Sequence, residues 1–478
     1  MQRLEEEFIM EFTIDVNIPE IYFEEMLKFI QREFLSRNPI LFKNIKIFEK
    51  EEIKCLSFII VKPGTDQYVN VELEAKIPIN VKISSIHKEL IEEIYEELRE
   101  NLIINIELFQ EKIRRAAIYF AWIEGREVIP EASLSMKKKA YTNIFTRDMI
   151  TFYILSIIIS VIVFSLFSFY APIIILIFQF SILFFSDRIA LRIGEWIIDS
   201  KNKHIHFIEY YLSIEELREF REKYDIEIIR KIKREIYEKT LAIGKKIDCE
   251  IAQETLSKYG IKCVPERMKA KIINVYELVE KASKKINVKM PKIVILNTMI
   301  PNAAATGISP NKGTILITTG LLIRLEEEEI LSVIGHELGH LKGRDPLILF
   351  CLSSIEYLLR LYVFLPFYIL FPFFYLMIAL GIVYFIAKFF EARADLISAI
   401  KLGEAKKLAE ALRKIGFYRL QYERIPFYRF QEWISWDPHP PLYFRIKRLE
   451  KLSKERREIK YPLIESIKDV INGFLSTF

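Results

Sequence analysis

The longest stretch of this sequence without a charged residue is Met149–Ser186, and it constrains the fold more than any other feature. Its 38 residues contain no Asp, Glu, Lys or Arg. About 20 apolar residues are enough for a helix to cross a bilayer. The stretch therefore predicts two transmembrane helices joined by a tight turn at Ser168–Pro172. The alternative, a hairpin buried in a soluble core, is disfavoured by a run of this length. We place the first transmembrane hairpin at 148–192.

A second apolar block follows at Pro346–Ala387, and Pro366 and Pro372 lie near its middle. Because proline ends or kinks helices, this pattern predicts a second hairpin. We place that hairpin at 346–388, with spans near 347–366 and 370–388.

Two charged residues, Glu356 and Arg360, interrupt the second block. They are one helical turn apart and can pair with each other. A transporter that would use them therefore has little support, and their role stays open.

Basic residues flank both hairpins, and the turns contain none. Loops rich in Lys and Arg stay on the cytoplasmic side of a membrane, so both ends of each hairpin and the large hydrophilic parts are predicted to be cytoplasmic. The chain would be a multi-pass protein of the cell membrane. The flanking residues are Lys137, Lys138, Lys139, Arg147, Arg188, Arg192, Lys201, Lys203, Lys342, Arg344, Lys388 and Arg393.

Charge and cysteine content exclude several classes of protein. The net charge is only +5, and no basic stripe stands out, which argues against nucleic acid as a partner. The chain has four cysteines and no pair at the two-residue spacing of zinc knuckles or thioredoxin-like sites. Four thiols in a chain of this length predict a reducing compartment and no disulfide framework.

The hydrophilic segments divide into three parts. Residues 1–147 are predicted to form an N-terminal cytoplasmic α+β accessory domain, with strand-like alternation over Lys54–Val61 and Tyr68–Ile83 and a helical pattern over Ile86–Trp122. Residues 193–345 are predicted to be a helical region leading into a peptidase core, and residues 389–478 its C-terminal part. His87 is expected at the surface. If the segment of His204 and His206 is helical, the two histidines face different ways and share no metal.

The segment that predicts a metal-dependent catalytic site is His336-Glu337-Leu338-Gly339-His340. An acidic segment, Glu326–Glu329, precedes it and is typical of a first helical turn. On that helix the two histidines lie one turn apart on one face, where they can bind one zinc ion. Glu337 lies beside them and can act on a water molecule. A helix with two surface histidines is the alternative, but a chain with six histidines rarely contains this pattern by chance.

A catalytic zinc needs three protein ligands and one open position. Glu391 is the candidate for the third, because it follows directly on the last apolar segment. Asp395 lies one turn further along and can orient a ligand histidine. Near the C-terminus, prolines fix the backbone of the segment Asp437-Pro-His439-Pro-Pro, and Arg445 follows on the next helical stretch.

Together these motifs resemble the integral-membrane zinc metallopeptidases of the HtpX and CAAX-prenyl-protease family. The similar stretch runs from Val275 to about Arg448. Its segments include Met290-Pro-Lys-Ile-Val-Ile, Pro301-Asn302-Ala303-Ala304-Ala305-Thr-Gly307, Gly335-His-Glu-Leu-Gly-His-Leu, Glu391-Ala-Arg-Ala-Asp395 and Asp437-Pro-His439-Pro-Pro.

The resemblance implies a mostly helical zincin-type peptidase domain with a small antiparallel sheet. With the four transmembrane helices in two hairpins and the N-terminal α+β domain, this gives an α+β membrane protein. Glu337 would be the general base, and His439 and Arg445 would lie near the substrate. His336, His340 and Glu391 would bind one zinc ion, Asp395 would support a ligand, and Asn302, Ala303, Ala304 and Ala305 would line the strand where substrate docks.

Two departures from the family pattern stand out. The family often has an aromatic residue where Ala304 stands, so the local pocket is expected to differ. Residues 1–147 are not part of the usual family plan, and their role is open.

The function that follows is hydrolysis of peptide bonds by activated water, with polypeptides, chiefly membrane or misfolded proteins, as substrates at the cytoplasmic face. Loose recognition along an edge strand suits quality control. The alternatives are a processing protease for lipid-modified C-terminal tails, for which four spans are few, and a catalytically silent membrane scaffold. The substrate, the regulation and the oligomeric state are left open.

Overall fold

The computed structural model describes residues 7–126, 128, 149–423, 425–455 and 459–477. Within them the chain is mostly helical, as predicted. The strands are β1 Phe8–Ile14, β2 Phe42–Lys50, β3 Ile53–Val61, β4 Tyr68–Glu74, β5 Ile79–Ser85, β6 Ala117–Ile123, β7 Trp196–Ile198, β8 His204–Tyr211, β9 Met268–Asn274, β10 Lys292–Leu296, β11 Ala303–Ser309 and β12 Lys312–Thr318.

The helices carry labels in chain order. They are α1 Phe23–Ile30, α2 Lys88–Arg115, α3 Met149–Phe167, α4 Ala171–Phe184, α5 Ser186–Ile193, α6 Ile214–Lys223, α7 Ile226–Lys239, α8 Cys249–Ser257, α9 Val275–Ile286, α10 Thr319–Arg324, α11 Glu327–Gly343, α12 Asp345–Tyr362, α13 Leu365–Leu370, α14 Pro372–Leu402, α15 Ala405–Glu423, α16 Pro426–Ile434, α17 Leu442–Glu455 and α18 Pro462–Leu475.

The chain divides into two compact units. One combines Met1–Phe120 with Phe207–Ala270, and the other combines Ala121–His206 with Lys271–Phe478. Residues 207–270 thus share a unit with the N-terminal region, whereas the sequence grouped them with the peptidase core. A recognisable boundary is lacking there because the segment is charged and helical throughout.

The first unit is built on an antiparallel sheet of order β1-β5-β4-β3-β2. Alternating side chains of β4 and β5 are buried and belong to one core cluster with side chains of α1 and α2, such as Leu27 and Phe109. The predicted turn after Val61 is present between β3 and β4.

Three sequence-based assignments are wrong in detail. The predicted strand region Tyr68–Ile83 is two strands, β4 and β5, which pair antiparallel. The helical pattern of Ile86–Trp122 ends at Arg115, because the following run Ala-Ile-Tyr-Phe-Ala-Trp-Ile is β-branched and aromatic and forms β6. His204 and His206 lie on strand β8, where residues two apart point to the same face. Among the described residues they still belong to no metal-binding group.

The cysteine prediction also needs correction. Cys249 and Cys263 form a disulfide bond within the first unit, while Cys55 and Cys351 are free. Cys249 and Cys263 are 14 residues apart, which matches no recognised spacing, so the sequence alone did not predict the disulfide bond.

The second unit contains a four-stranded sheet of order β11-β12-β10-β7. Two pairings are antiparallel, as predicted, but β10 and β12 are parallel. Strand β11 forms the edge of this sheet. A further sheet has the order β6-β8-β9.

The apolar stretches fold into helical hairpins. Helices α3 and α4 are joined by a short 3-10 turn at Ser168–Tyr170, and α12 is joined to α14 through α13. The rings of Phe169 and Tyr362 lie 4.9 Å apart, and the Tyr362 hydroxyl donates to the carbonyl oxygen of Phe169. The two hairpins therefore contact each other. The basic flank 137–147 lies outside the described residues.

Two described segments are long and apolar enough to cross a membrane, Ile157–Phe184 and Pro372–Leu402. In the most apolar 18-residue window of each segment few residues are buried, and Ile157 and Ile177 are about 60% exposed. Water would disfavour a surface of this kind. The prediction of four spans is not confirmed and stays a prediction.

Candidate metal centre and active site

Helix α11 carries the His-Glu-x-x-His string. Its start is fixed by a reciprocal capping box between Glu326 and Glu329, and its end by Arg344, whose φ of 57° lies in the left-handed region. The acidic first turn complements the helix dipole. The sequence-based assignment of this helix is therefore confirmed.

Two glycines allow α11 to pack closely on α14. A Cβ atom at Gly339 would lie 3.0 Å from the Cα of Ala394, and one at Gly335 would lie 2.7 Å from the Ser398 hydroxyl oxygen. That hydroxyl donates to the carbonyl oxygen of Ser332 over 2.7 Å. The close approach brings the face of α11 that bears the histidines against the part of α14 that bears Glu391.

The three predicted ligands converge. The Nε2 atoms of His336 and His340 are 3.1 Å apart, and they lie 3.4 Å and 3.3 Å from the two carboxylate oxygens of Glu391. Two ligands held at about 2.05 Å from zinc in a tetrahedron are separated by about 3.3 Å. The side chains present therefore fit a zinc ion without rearrangement.

A second observation supports the binding of a cation at this site. Glu391 Oε2 is buried and has no hydrogen-bond partner among the described residues. A buried carboxylate oxygen without a partner is costly. A metal ion bound by His336, His340 and Glu391 would remove that cost.

Each ligand histidine has a carboxylate at its other ring nitrogen. His336 Nδ1 lies 2.9 Å from Asp395 Oδ1, as the sequence predicted, and His340 Nδ1 lies 2.8 Å from Asp345 Oδ2. Such partners fix the tautomer and orientation of metal-binding imidazoles. The contact of Asp345 with His340 was not predicted, because it depends on the left-handed conformation of Arg344, which the sequence does not indicate.

Arg445 lies in this same buried network. Its Nε and Nη2 donate to the two oxygens of Asp395 over 2.8 Å and 2.7 Å, and its Nη1 is 3.6 Å from Glu391. Burial opposes ionisation of Asp395, but Arg445 and His336 outweigh it and hold the pKa of Asp395 well below its usual range. Arg445 thus contacts Asp395, and Asp395 in turn contacts the predicted ligand His336.

His439 lies at the open side of the site. Its side chain is 45% exposed, its Nε2 is 3.7 Å from Glu391 Oε2, and its Nδ1 is 2.7 Å from Asp437 Oδ1. The buried ammonium of Lys388 donates to the carbonyl oxygens of Ser435 and Asp437. The loop that carries His439 is therefore tied to α14.

Glu337 faces the edge strand. Its Oε2 accepts a hydrogen bond of 2.8 Å from the backbone N–H of Ala305 in β11. Asn302, just before the strand, bonds to Thr318 at the end of β12. Along an antiparallel strand, the N–H and C=O groups of successive residues point alternately toward and away from the neighbouring strand. The backbone groups of Ala303 and Ala305 therefore point away from β12, whereas Ala304 pairs with Leu316.

The protonation of the ligands follows from their mutual contacts. Burial would lower the pKa of both histidines, but the carboxylates around them raise the pKa of His336 and raise that of His340 further. Burial would raise the pKa of Glu391, but His340 and His336 lower it well below its usual range. These contacts therefore raise the affinity of the two imidazoles for protons and lower that of the Glu391 carboxylate.

Two histidines one helical turn apart, a glutamate from a second helix and an adjacent Glu337 form the site of a zincin-type metallopeptidase. Residues 270–453 match the model of Peptidase family M48. This region is therefore similar to the M48 peptidases, which supports the resemblance to HtpX-like metallopeptidases.

Curated relatives agree with this assignment. The chain is 44% identical over 93 residues to a protein named Protease HtpX homolog from Thermodesulfovibrio yellowstonii, covering 20% of this chain and 32% of that protein. It is 45% identical over 74 residues to Protease HtpX of Legionella pneumophila (16% and 26%) and 39% identical over 93 residues to a Protease HtpX homolog of Pyrococcus abyssi (20% and 31%). The chain spans about a third or less of the length of these relatives.

The carboxylate of Asp345 gives a first prediction. Asp345→Asn should weaken zinc binding about 10- to 100-fold, because the imidazole of His340 loses the partner that orients it. Titration against a chelating dye measures the change. Asp199→Asn, which removes an acid paired with Arg126 elsewhere in the unit, is the matched control and should bind zinc like the native chain. Equal affinities for all three proteins would contradict the role of Asp345.

The raised histidine pKa values give a second prediction. Zinc binds neutral imidazole, and this site holds its protons above the usual value of about 6.5. Zinc affinity should therefore keep rising with pH beyond 6.5, by up to about tenfold per pH unit for each proton released. Competition titrations from pH 6 to 9 measure the slope. An affinity that levels off at pH 6.5 would show that the histidines are not held protonated.

Proposed function

We propose that this chain is a membrane-embedded, zinc-dependent endopeptidase that hydrolyses peptide bonds of membrane or misfolded proteins at the cytoplasmic face. The observation that carries the proposal is the convergence of His336, His340 and Glu391 at zinc-ligand spacing, with an unpartnered oxygen on Glu391. The M48 match over residues 270–453 points the same way.

One zinc ion per chain would be held by the three convergent side chains. When bound, it would supply Lewis acidity, which polarises a peptide carbonyl and lowers the pKa of water to about 7. Asp395 and Asp345 hold the two imidazoles with their Nε2 atoms toward the same point. Three carboxylates, those of Glu391, Asp395 and Asp345, thus keep a small cation site rigid.

Glu337 is the general base in this mechanism. Its carboxylate accepts a proton from the attacking water and delivers one to the leaving nitrogen. In the structure this carboxylate is held by the N–H of Ala305. The base is therefore positioned by the same strand that would receive the substrate.

Substrate recognition would use the edge strand β11. Ala303 and Ala305 have outward-facing backbone groups, and an extended peptide can add to such an edge through main-chain hydrogen bonds. Ala304 has a small side chain, so it restricts neighbouring substrate side chains little. Recognition of this kind depends weakly on sequence, which suits removal of varied damaged proteins.

His439 and Arg445 would have different roles, although both lie near Glu391 Oε2. His439 has an exposed imidazole 3.7 Å from Glu391 Oε2 and can donate to the oxyanion that forms from the peptide carbonyl. Arg445 is buried on Asp395. We therefore assign Arg445 to positioning the ligands, whereas the sequence alone suggested a group near the substrate.

The membrane assignment rests on the two exposed apolar helices and on the basic flanks of both hairpins. With both hairpin ends on the cytoplasmic side, the peptidase site would lie there too. Residues 1–147 would act as an accessory domain, because the predicted ligands all lie beyond them in the chain.

The test separates metal binding from catalysis. Glu337→Gln should keep one zinc ion per chain and lose peptidase activity by orders of magnitude, because only the base is removed. His336→Ala should lose both. Metal analysis and hydrolysis of an unfolded protein such as casein measure the two effects in detergent. Unchanged zinc content in His336→Ala, or full activity in Glu337→Gln, would contradict the proposal.

Lys388 provides a further prediction about the His439 loop. Lys388→Met keeps the length of the side chain but removes the donor to Ser435 and Asp437, so kcat should fall while zinc stays bound. The decrease should not exceed the roughly 10²–10³-fold loss expected for His439→Ala. If Lys388 acts through His439, adding Lys388→Met to His439→Ala should cost little more. Losses that multiply in the double variant would argue for a separate role.

A further inference from the structure

A cavity is present whose lining contains neither Glu337 nor any residue of β11. It has a volume of about 400 Å³ and is formed by the end of α11, the last third of α14 and the segment that leads into α18. All its described lining residues lie in the second unit. The lining is Lys342, Gly343, Arg393, Ile397, Ile400, Lys401, Ile459, Lys460, Pro462 and Leu463.

The polar part of this lining is entirely cationic. Lys342, Lys401, Lys460 and Arg393 contribute four basic side chains, and none of the described lining residues is acidic. Lys401 and Lys460 are exposed, and no carboxylate of the described residues forms an ion pair with either. Arg393 is paired with Asp345, but the three lysines repel one another unless an anion lies between them.

Arg393 provides an independent sign of a ligand. The residue is 8% exposed, and one terminal nitrogen is paired with Asp345. Its Nε is buried and has no hydrogen-bond partner in the described structure. A Cβ atom at position 343 would lie 1.7 Å from Arg393 Nη2, so Gly343 is needed for the guanidinium to reach this place.

The other half of the cavity is apolar. Ile397, Ile400, Ile459 and Leu463 face the same space as the four cations. The lining includes Gly343, two residues before α12 begins, and the last third of α14, which belongs to the long apolar helix Pro372–Leu402. Basic pockets beside membrane-spanning helices on the cytoplasmic side suit lipid phosphate groups.

We propose that this cavity binds the phosphate group of an anionic amphiphile such as an acidic phospholipid. Lys342, Lys401 and Lys460 contact the phosphate oxygens, and the Arg393 guanidinium closes the inner end of the site. The isoleucines and Leu463 cover the first part of the attached chain. The proposal does not depend on peptidase activity, because none of the three lysines is assigned to the active site.

The test is binding to the full-length, zinc-loaded protein in detergent. Short-chain phosphatidylglycerol should bind saturably with about one molecule per chain by native mass spectrometry or calorimetry. Phosphatidylcholine with the same chains should bind more weakly. Replacing Lys342, Lys401 and Lys460 together by Gln should weaken binding about 100-fold, from about tenfold or less per lysine near a phosphate.

Two controls keep the outcome interpretable. A variant with Gln at Lys281, Lys289 and Lys406 loses the same charge elsewhere and should bind phosphatidylglycerol like the native protein. The pair Lys401→Gln and Lys460→Gln leaves Lys342, which donates to the Ile286 carbonyl oxygen, and should still lose about tenfold. Zinc content reports on folding throughout.

Inorganic phosphate distinguishes the source of the ligand. If it competes only at far higher concentration than phosphatidylglycerol, the site belongs to a lipid. If it binds as tightly and with the same dependence on the lysines, the phosphate site stands and its ligand is free phosphate. Equal binding of phosphatidylglycerol and phosphatidylcholine, or equal affinity in the triple-lysine variant and its control, would overturn the proposal.

Discussion

The metal centre depends on how closely helix α11 approaches α14. At Gly339 the two backbones leave no room for an additional carbon, since a Cβ would lie 3.0 Å from the Cα of Ala394. With this spacing, Glu391 can reach both histidine Nε2 atoms at once. Larger side chains at Gly335 or Gly339 would separate the helices, and a displacement near 1 Å is enough to spoil ligand geometry. The glycine between the two histidines is therefore part of the metal centre although it binds nothing.

The same close packing buries an unusual concentration of charge. Asp395, Asp345, Arg445 and Arg393 are each less than a tenth exposed. Buried charges are tolerated when they are paired and hydrogen-bonded. Asp395 meets this condition through its bidentate contact with Arg445. Glu391 does not, because one of its oxygens is unpartnered. Arg393 Nε is also buried without a partner among the described residues, but Glu391 Oε2 is the atom that lies 3.4 Å from His336 Nε2, at the point where a cation fits.

Much of this site could be predicted from the sequence because helical periodicity is local. A spacing of four residues places His336 and His340 on one face, and the same periodicity relates Glu391 to Asp395. Asp345 and Lys388 could not be predicted, since their contacts depend on a left-handed residue and on a loop 50 residues away. In the fold, the apolar helices and β3 were recognised from composition and alternation. The end of α2, the strand bearing His204 and the Cys249–Cys263 bond depend on tertiary context, which overrides local preference.

The contact between Glu337 and Ala305 links the base to the substrate strand. The N–H of Ala305 donates to the Glu337 carboxylate and fixes where that carboxylate lies. The same N–H belongs to the free edge of β11, where an extended peptide would form its own hydrogen bonds. If β11 receives the substrate as proposed, a peptide that pairs only with Ala303 would leave the Ala305 N–H on Glu337, whereas one that pairs with Ala305 would displace the carboxylate and free it for the water. The register of the bound peptide on β11 would therefore decide how Glu337 is held, so that one backbone group would set both peptide placement and proton transfer.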